Sequence, residues 1–267
     1  MRYSNLHTHT SFSDGKHSVR ENIESAIRLG MTSLGFSDHC YTYFDTSYCI
    51  QKEDLPKYIK EVRELGEEYR DRLEVYLGYE LDGYAIMENR ELYDYIIGDV
   101  HYVRTCDGLK PVDLSGAAYT DNVNKYFGGD HLALAKDYYD GYAERIAAMH
   151  PDVLGHIDLV AKYSYVDEQD PRYHKMALEA LDASLDVCPI IEMNTGAISR
   201  GYRKIPYPAP FFFDLIKSKN AKIILSSDSH NAENLIYHFD ECIELLRANG
   251  FKSIVAYVGG KFEEIGI

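Results

Sequence analysis

The chain has 267 residues, 45% of them hydrophobic and 27% charged, a composition typical of a globular protein with a sizeable buried core. Its net charge of −15 argues against proteins that bind nucleic acid or anionic membranes, because these usually present a basic surface. There is no bilayer-spanning apolar stretch, no secretory signal pattern and no CxxC pair among five scattered cysteines. We therefore predict a cytoplasmic protein without nucleic-acid or membrane partners.

Predicted strands and helices alternate about seven times along the chain. The first strand, 3–6, leads to His7 and His9, which point the same way because residues two apart on a strand share a face. Ser18 and Glu21 form a capping box that predicts the start of the first helix. The other predicted strands are 33–37, 74–79, 95–100, 153–155, 189–191, 222–225 and 253–257, and the predicted helices are 18–29, 53–69, 131–149, 172–185, about 212–216 and 233–248.

This alternation predicts one α/β domain over residues 1–267. The strands are near-continuous apolar runs, as expected for parallel strands that are buried on both faces. The segment 105–130 is a polar connection with no clear period, and connections of this length are usually functional or mobile. No composition shift marks a domain boundary, so we expect a closed or nearly closed parallel barrel of about seven β/α units.

Potential metal ligands recur where the predicted strands end. In a parallel barrel these ends lie on one rim, so residues distant in sequence would converge there. Nitrogen and oxygen ligands suit zinc, manganese or iron, and a carboxylate such as Glu80 can bridge two ions. We therefore predict a multinuclear metal site. The strand-end candidates are His7, His9, His39, Glu80, His101, His156, Glu192, Asp228 and His230.

Several other residues allow more than one interpretation. Asp14 and His17 both follow the first motif closely enough to bind metal, and we prefer Asp14 because it is nearer the strand end. Asp38, Asp99 and Asp158 neighbour ligand positions and could support them or be structural. The remaining histidines fall in or beside predicted helices, where ordinary surface or packing roles suffice: His131, His150, His174 and His238.

An ordered set of motifs resembles the polymerase-and-histidinol-phosphatase (PHP) superfamily. The motifs are HTHTSFSDG, FSDH at 36–39, GYE at 78–80, GDVH at 98–101, GHID at 155–158 and SDSH at 227–230. The segment from Glu192 to Gly196, continuing to Arg200 and Tyr207, resembles the histidinol-phosphatase branch in particular. The family fold is a distorted (β/α)7 TIM-like barrel, which agrees with the count of elements.

The resemblance implies a site for three divalent metal ions, with zinc, manganese and iron as candidates. The first ion would take His7, His9, Glu80 and Asp228, the second would share Glu80 and add His101 and His156, and the third would take Asp14, His39 and His230. Catalysis is assigned to His7, His9, Glu80, Asp228 and His230. Substrate phosphate would be bound by Arg200 and, as a weaker match to a basic position after GHID, by Lys162.

The implied reaction is hydrolysis of a small phosphate monoester, L-histidinol phosphate, in histidine biosynthesis. One alternative is a PHP-type phosphoesterase that acts on a nucleotide or on phosphotyrosine. Another is a non-catalytic, metal-binding regulatory domain. Asp113 and Asp121 are candidates for contacting the substrate amine. The sequence leaves the native metals and the oligomeric state open.

Overall fold

Within residues 3–267, which the computed structural model describes, a nine-stranded sheet curls around the centre of the molecule. The strands in chain order are β1 (Ser4–Asn5), β2 (Ser33–Phe36), β3 (Glu74–Asp82), β4 (Tyr95–Asp99), β5 (Tyr102–Thr105), β6 (Gly108–Pro111), β7 (Val153–Leu154), β8 (Ile190–Asn194), β9 (Lys222–Ser226), β10 (Ser253–Val258) and β11 (Lys261–Gly266). The sheet order is β1-β2-β3-β4-β7-β8-β9-β10-β11, and β5 and β6 form a separate hairpin. Neighbours in the large sheet are parallel except β10 and β11.

The curl joins the first strand to the ninth. Thr8 and Ser229 form a parallel bridge just beyond the ends of β1 and β9. The His9 amide donates to the Ser229 carbonyl at 2.9 Å, and the Ser229 amide donates to the His7 carbonyl at 3.1 Å. In the described chain this bridge brings together the ends of a seven-strand parallel series, β1 to β4 and β7 to β9. The prediction of a distorted (β/α)7 barrel is therefore confirmed.

The helices cover the outside of this sheet. They are α1 (Val19–Arg28), α2 (Leu55–Tyr69), α3 (Gly116–Tyr126), α4 (His131–Asp140), α5 (Tyr142–Met149), α6 (Pro171–Leu185), α7 (Gly196–Ser199), α8 (Phe213–Ser218) and α9 (Phe239–Ala248). The predicted capping box of α1 is present, since the Ser18 hydroxyl accepts from the Glu21 amide and the Glu21 carboxylate accepts from the Ser18 amide. Across residues 3–267, no helix has both the length and the apolar character needed to cross a bilayer.

The structure differs from the sequence prediction mainly in the segment 105–130 and in the helices and strands that follow it. The segment 105–130 is not irregular, because it completes the β5–β6 hairpin and contains α3. The predicted helix 131–149 is interrupted at Gly141 and becomes α4 and α5. The predicted helix 233–248 begins only at Phe239, because His238 adopts a left-handed conformation with φ of 58°. The antiparallel strand β11 and the short helix α7 have no counterpart among the predicted elements.

Tyr95 fills the interior of the barrel below the rim. Its side chain is fully buried with Leu6, Ile97 and Ile224, and its hydroxyl donates to the Leu6 carbonyl. Gly78 on β3 faces the Tyr95 ring, and a methyl group at this position would overlap the ring. This packing below Glu80 holds β3 and β4 in the positions that place their carboxyl ends at the rim.

We expect Gly78→Ala to lower the free energy of unfolding by about 1–3 kcal/mol, because overpacking forces the Tyr95 ring to move. Gly66→Ala is a suitable control, because a methyl group there meets Val75 at an ordinary 3.4 Å inside α2. That control should be neutral or slightly stabilising. Urea denaturation with an unchanged m-value checks both, and equal stability of the two variants would contradict the packing described for Tyr95.

Candidate metal centre

The carboxyl ends of the strands bring all of the predicted ligands together. Their potential ligand atoms form four overlapping groups, each with its atoms within 4.8 Å of one another. The groups are His9, Asp14, His39 and His230; His7, Glu80, Asp99 and His156; His7, His9 and Asp228; and His39, Glu80 and His101. Asp99 is the member that the predicted ligand set lacks.

Glu80 lies at the middle of these groups. Its Oε1 is 3.3 Å from His7 Nε2, 3.4 Å from His101 Nε2 and 3.3 Å from His156 Nε2. Its Oε2 is 3.6 Å from His9 Nε2 and also contacts His39 Nδ1. The carboxylate is 1% exposed, and it lies inside β3 rather than at the strand end, because β3 continues to Asp82. Each of its oxygens therefore faces a different set of imidazoles.

Several of these buried atoms have no hydrogen-bond partner among the described residues. They include His7 Nε2, both ring nitrogens of His9 and both oxygens of Glu80. Burying such polar atoms without partners is costly, and native proteins rarely leave them unsatisfied. Divalent cations would satisfy them, and this set of imidazoles and carboxylates suits zinc, manganese or iron. The residues present therefore fit a resident metal.

A second set of carboxylates orients the histidines. Three histidine–carboxylate pairs are present: His7 Nδ1 with Glu192 Oε2 at 2.8 Å, His101 Nδ1 with Asp82 Oδ2 at 3.2 Å, and His156 Nδ1 with Asp99 Oδ1 at 3.0 Å. The contact between His156 and Asp99 is close but is not aligned as a hydrogen bond. Each contact uses Nδ1 and leaves Nε2 directed at Glu80, as in carboxylate–histidine–metal arrangements. Glu192, a candidate ligand by its strand-end position, therefore acts through His7.

Asp82 lies outside the predicted set of site residues, although its position in the sequence carries a signal. Asp82 is two residues from Glu80 on β3, so the two side chains share one face of the strand. Asp38 has the supporting role that its position allowed: its carboxylate accepts from the Thr10 amide at 2.7 Å and from the Ser13 hydroxyl, and it thereby fixes the loop between His9 and Asp14.

The geometry favours Asp14 over His17 as the candidate ligand beside His39 and His230. Asp14 Oδ2 is 3.1 Å from His230 Nε2, and its Oδ1 is 3.8 Å from His39 Nε2. His17 Nδ1 instead accepts a hydrogen bond from the Ala232 amide at 3.2 Å. Asp158 contacts Arg203 at 3.7 Å and accepts from the Ala209 amide, so it is structural.

Arg200 and Lys162, the two predicted phosphate-binding residues, line one cavity of about 250 Å³. The four groups of candidate metal ligands, called the metal groups below, lie at the bottom of this cavity. Arg200 donates to Asp228 Oδ2 at 2.9 Å and to His230 Nδ1 at 2.8 Å. Lys162 is 8% exposed and donates to the Asp113 carbonyl at 2.9 Å and to Asp113 Oδ2 at 3.2 Å. Asp113 therefore lines the cavity as the partner of Lys162, whereas Asp121 is exposed and is not among the lining residues.

The charges of the centre are strongly coupled. Burial alone would raise the pKa of Glu80, but the surrounding histidines, first His39 and then His7, hold it well below its usual value. Burial alone would lower the pKa of His7, but Glu192 and then Glu80 outweigh burial and raise it well above its usual value. The pKa values of His39, His101 and His156 are likewise raised by neighbouring carboxylates against the opposing effect of burial. The protonated form is thus favoured for these four histidines, whereas burial and the neighbouring His230 and His39 lower the pKa of His9 to about 3.

Comparison with known proteins gives consistent findings. The PHP domain matches residues 5–196. A Deinococcus radiodurans protein described as "Probable histidinol-phosphatase" is 30% identical over 250 residues, covering 88% of this chain and 88% of that protein. The Bacillus subtilis "Histidinol-phosphatase" is 24% identical, covering 91% of this chain and 99% of that protein. The crystal structure of histidinol phosphate phosphatase from Lactococcus lactis, complexed with zinc, L-histidinol and phosphate, shares the fold at a TM-score of 0.73 and 22% identity, covering 97% of this chain and 98% of that one.

We expect metal uptake to release protons, with an affinity that falls as the pH falls. The raised pKa values of His7 and His101 keep these rings protonated in the metal-free protein, and imidazole must be neutral to bind metal. Zinc titration by calorimetry in buffers of different ionisation enthalpy should detect release of about one proton or more per protein. His238→Asn, at a half-exposed histidine outside the site, should not change this release. Equal zinc affinity at about pH 6 and about pH 8 would contradict the expectation that histidine protons must leave before zinc binds.

Proposed function

The chain belongs to the PHP domain family, and from this premise and the geometry of the metal centre we propose that it is a metal-dependent histidinol-phosphatase. It hydrolyses the phosphate monoester L-histidinol phosphate to L-histidinol and phosphate. The observation that carries the proposal is the position of Glu80, a buried carboxylate among five histidines directly below a cavity that Arg200 and Lys162 also line. The relatives named histidinol-phosphatase support the choice of substrate.

The donor set supports a site for three ions. The first would be held by His7, His9, Glu80 and Asp228, the second by Glu80, His101 and His156, and the third by Asp14, His39 and His230. Asp99, which belongs to one of the four groups, supports His156 from behind. Divalent ions bound there supply the Lewis acidity and the charge neutralisation that phosphate ester hydrolysis needs. Zinc, manganese and iron are the candidates that suit these ligands.

The residues of the chain position the ester. Arg200 presents its guanidinium fork at the cavity, and the N–H groups that Asp228 and His230 leave free can donate to phosphate oxygens. Its contacts with Asp228 and His230 fix the guanidinium relative to the metal ligands before substrate arrives. Lys162 adds a second positive charge on the cavity wall, held in place by Asp113. A dianionic phosphate is thus attracted to the side of the cavity that carries these two cations.

The size of the cavity favours a small substrate. Its volume of about 250 Å³ is slightly below the range that is usual for drug-sized ligands. The acidic chain also disfavours long nucleic acid. We place the enzyme in the cytoplasm, in keeping with its five free cysteines, one of them exposed.

Phosphate release from a panel of esters tests the proposed function. With zinc or manganese added, the wild type should hydrolyse histidinol phosphate faster than phosphotyrosine or a 3′-phosphorylated nucleotide. His9→Ala should reduce this rate by more than about 100-fold, because it removes a metal ligand, while circular dichroism shows an unchanged fold. His238→Asn serves as the matched control and should retain full activity. Preference for a nucleotide or for phosphotyrosine would overturn the choice of substrate, and undiminished turnover by His9→Ala would overturn the metal site.

We expect Arg200→Ala to raise KM for histidinol phosphate by about 10- to 100-fold, the usual effect of losing hydrogen bonds to a charged group. Because Arg200 also contacts Asp228, elemental analysis must show that the metal content of the variant is unchanged. Arg200→Lys keeps the charge without the fork and should give an intermediate KM. Loss of metal with an unchanged KM would assign Arg200 to the metal site instead of the substrate.

A further inference from the structure

One carboxylate on the cavity wall has no positively charged partner in the described part of the chain. The acidic side chains that line the cavity are Asp14, Asp45, Glu80, Asp113 and Asp228. Four of them lie within 4.0 Å of a histidine, lysine or arginine nitrogen. Asp45 has no such neighbour among residues 3–267. Among the described residues that line the cavity, Asp45 is thus the acidic group whose negative charge is not offset by a neighbouring basic side chain.

Asp45 is nevertheless held in a fixed orientation. Its Oδ1 accepts hydrogen bonds from the Ser47 amide at 3.1 Å and from the Ser47 hydroxyl at 2.7 Å. Its Oδ2 accepts from the Tyr102 hydroxyl at 3.1 Å. These donors are neutral, so they orient the carboxylate without cancelling its charge. A fixed carboxylate that faces a cavity is preorganised to bind a cation.

Two tyrosine rings line the same cavity as this carboxylate. Tyr48 and Tyr102 both line the cavity, with ring centroids 6.5 Å apart and an interplanar angle of 30°. Tyr48 also packs edge-on against His39, so the aromatic wall is continuous with the metal centre. The faces of tyrosine rings attract ammonium groups, particularly where water is partly excluded. The carboxylate and the two rings together form a site with the chemistry of an ammonium receptor.

We infer that Asp45, with Tyr48 and Tyr102, binds the cationic amine of the alcohol part of the substrate and thereby selects phosphate esters of amino alcohols. This inference rests on the proposed function, because it takes the phosphate end to lie at the metal groups and Arg200. It also assigns different roles to the acidic residues of the cavity. Asp113 balances Lys162, whereas Asp45 is left to bind the substrate.

A comparison of a charged ester with an uncharged one tests the inference. Asp45→Asn keeps the shape of the side chain and removes its charge. We expect the variant to lose about 10- to 100-fold in kcat/KM on histidinol phosphate, mainly through KM, because a hydrogen bond between two charged groups is lost. On phenyl phosphate, which has no amine, kcat/KM should change by less than about threefold, since the metal groups and Arg200 are intact. Asp45→Glu, which retains the charge, should recover part of the loss on histidinol phosphate.

Controls distinguish a failure of this inference from a general defect of the variant and from a failure of the proposed function. Asp71→Asn removes the same charge from a side chain that is 94% exposed, and it should leave both esters unaffected. An equal loss by Asp45→Asn on both esters would make Asp45 structural and overturn the inference, as would no loss on either ester. The proposed function fails by a different result, namely a wild type that hydrolyses phenyl phosphate but not histidinol phosphate.

Discussion

The rest of the structure depends on the burial of one carboxylate among five imidazoles. Glu80 is almost completely inaccessible to water, and its oxygens accept no hydrogen bond from the described residues. Such a charge is stable in a protein interior only when cations surround it. Protons shared among the histidines can supply the positive charge in part, and divalent ions held by the same residues would supply more of it. The fold must therefore deliver five histidines to one point, and the barrel does this.

Parallel closure explains how residues so distant in sequence converge. The five histidines follow four strands: His7 and His9 follow β1, and His39, His101 and His156 follow β2, β4 and β7. The carboxyl ends of parallel strands lie on one rim. The bridge between Thr8 and Ser229 makes β1 and β9 neighbours, so His7 and His9 meet Asp228 from the other end of the motif series. The strands also carry the orienting carboxylates, since Glu192 on β8 reaches His7 and Asp82 on β3 reaches His101. Ligands and supports thus come from the same scaffold.

Much of this arrangement is predictable from sequence, because apolar strand runs and strand-end ligands are local patterns. The barrel, the strand-end positions of the candidate ligands and the capping box of α1 follow from such patterns, whereas the division of the ligands among three ions is implied by the family resemblance. The direction of a strand-end side chain is not local, and so Glu192 could not be distinguished from a ligand before its contact with His7 was known. The strand β11 has the sequence KFEEIG, whose charged residues hide it from hydrophobic periodicity. Asp45 lies in a polar loop whose conformation depends on Ser47 and Tyr102, and no spacing rule indicates that contact.

The cavity above the metal groups is electrically asymmetric, and this asymmetry has a direct consequence for recognition. Arg200 and Lys162 lie on its wall, each paired with a carboxylate, whereas Asp45 has no cationic partner within the described residues and shares the wall with Tyr48 and Tyr102. A substrate with a phosphate at one end and an ammonium group at the other has the complementary polarity, and it can enter productively in only one orientation. Reversal would place the phosphate against Asp45 and the amine against Arg200, and such like-charge contacts cost several kcal/mol. Complementary charge therefore fixes which end of the ester reaches the metal centre, a task that a cavity with uniform charge could not perform.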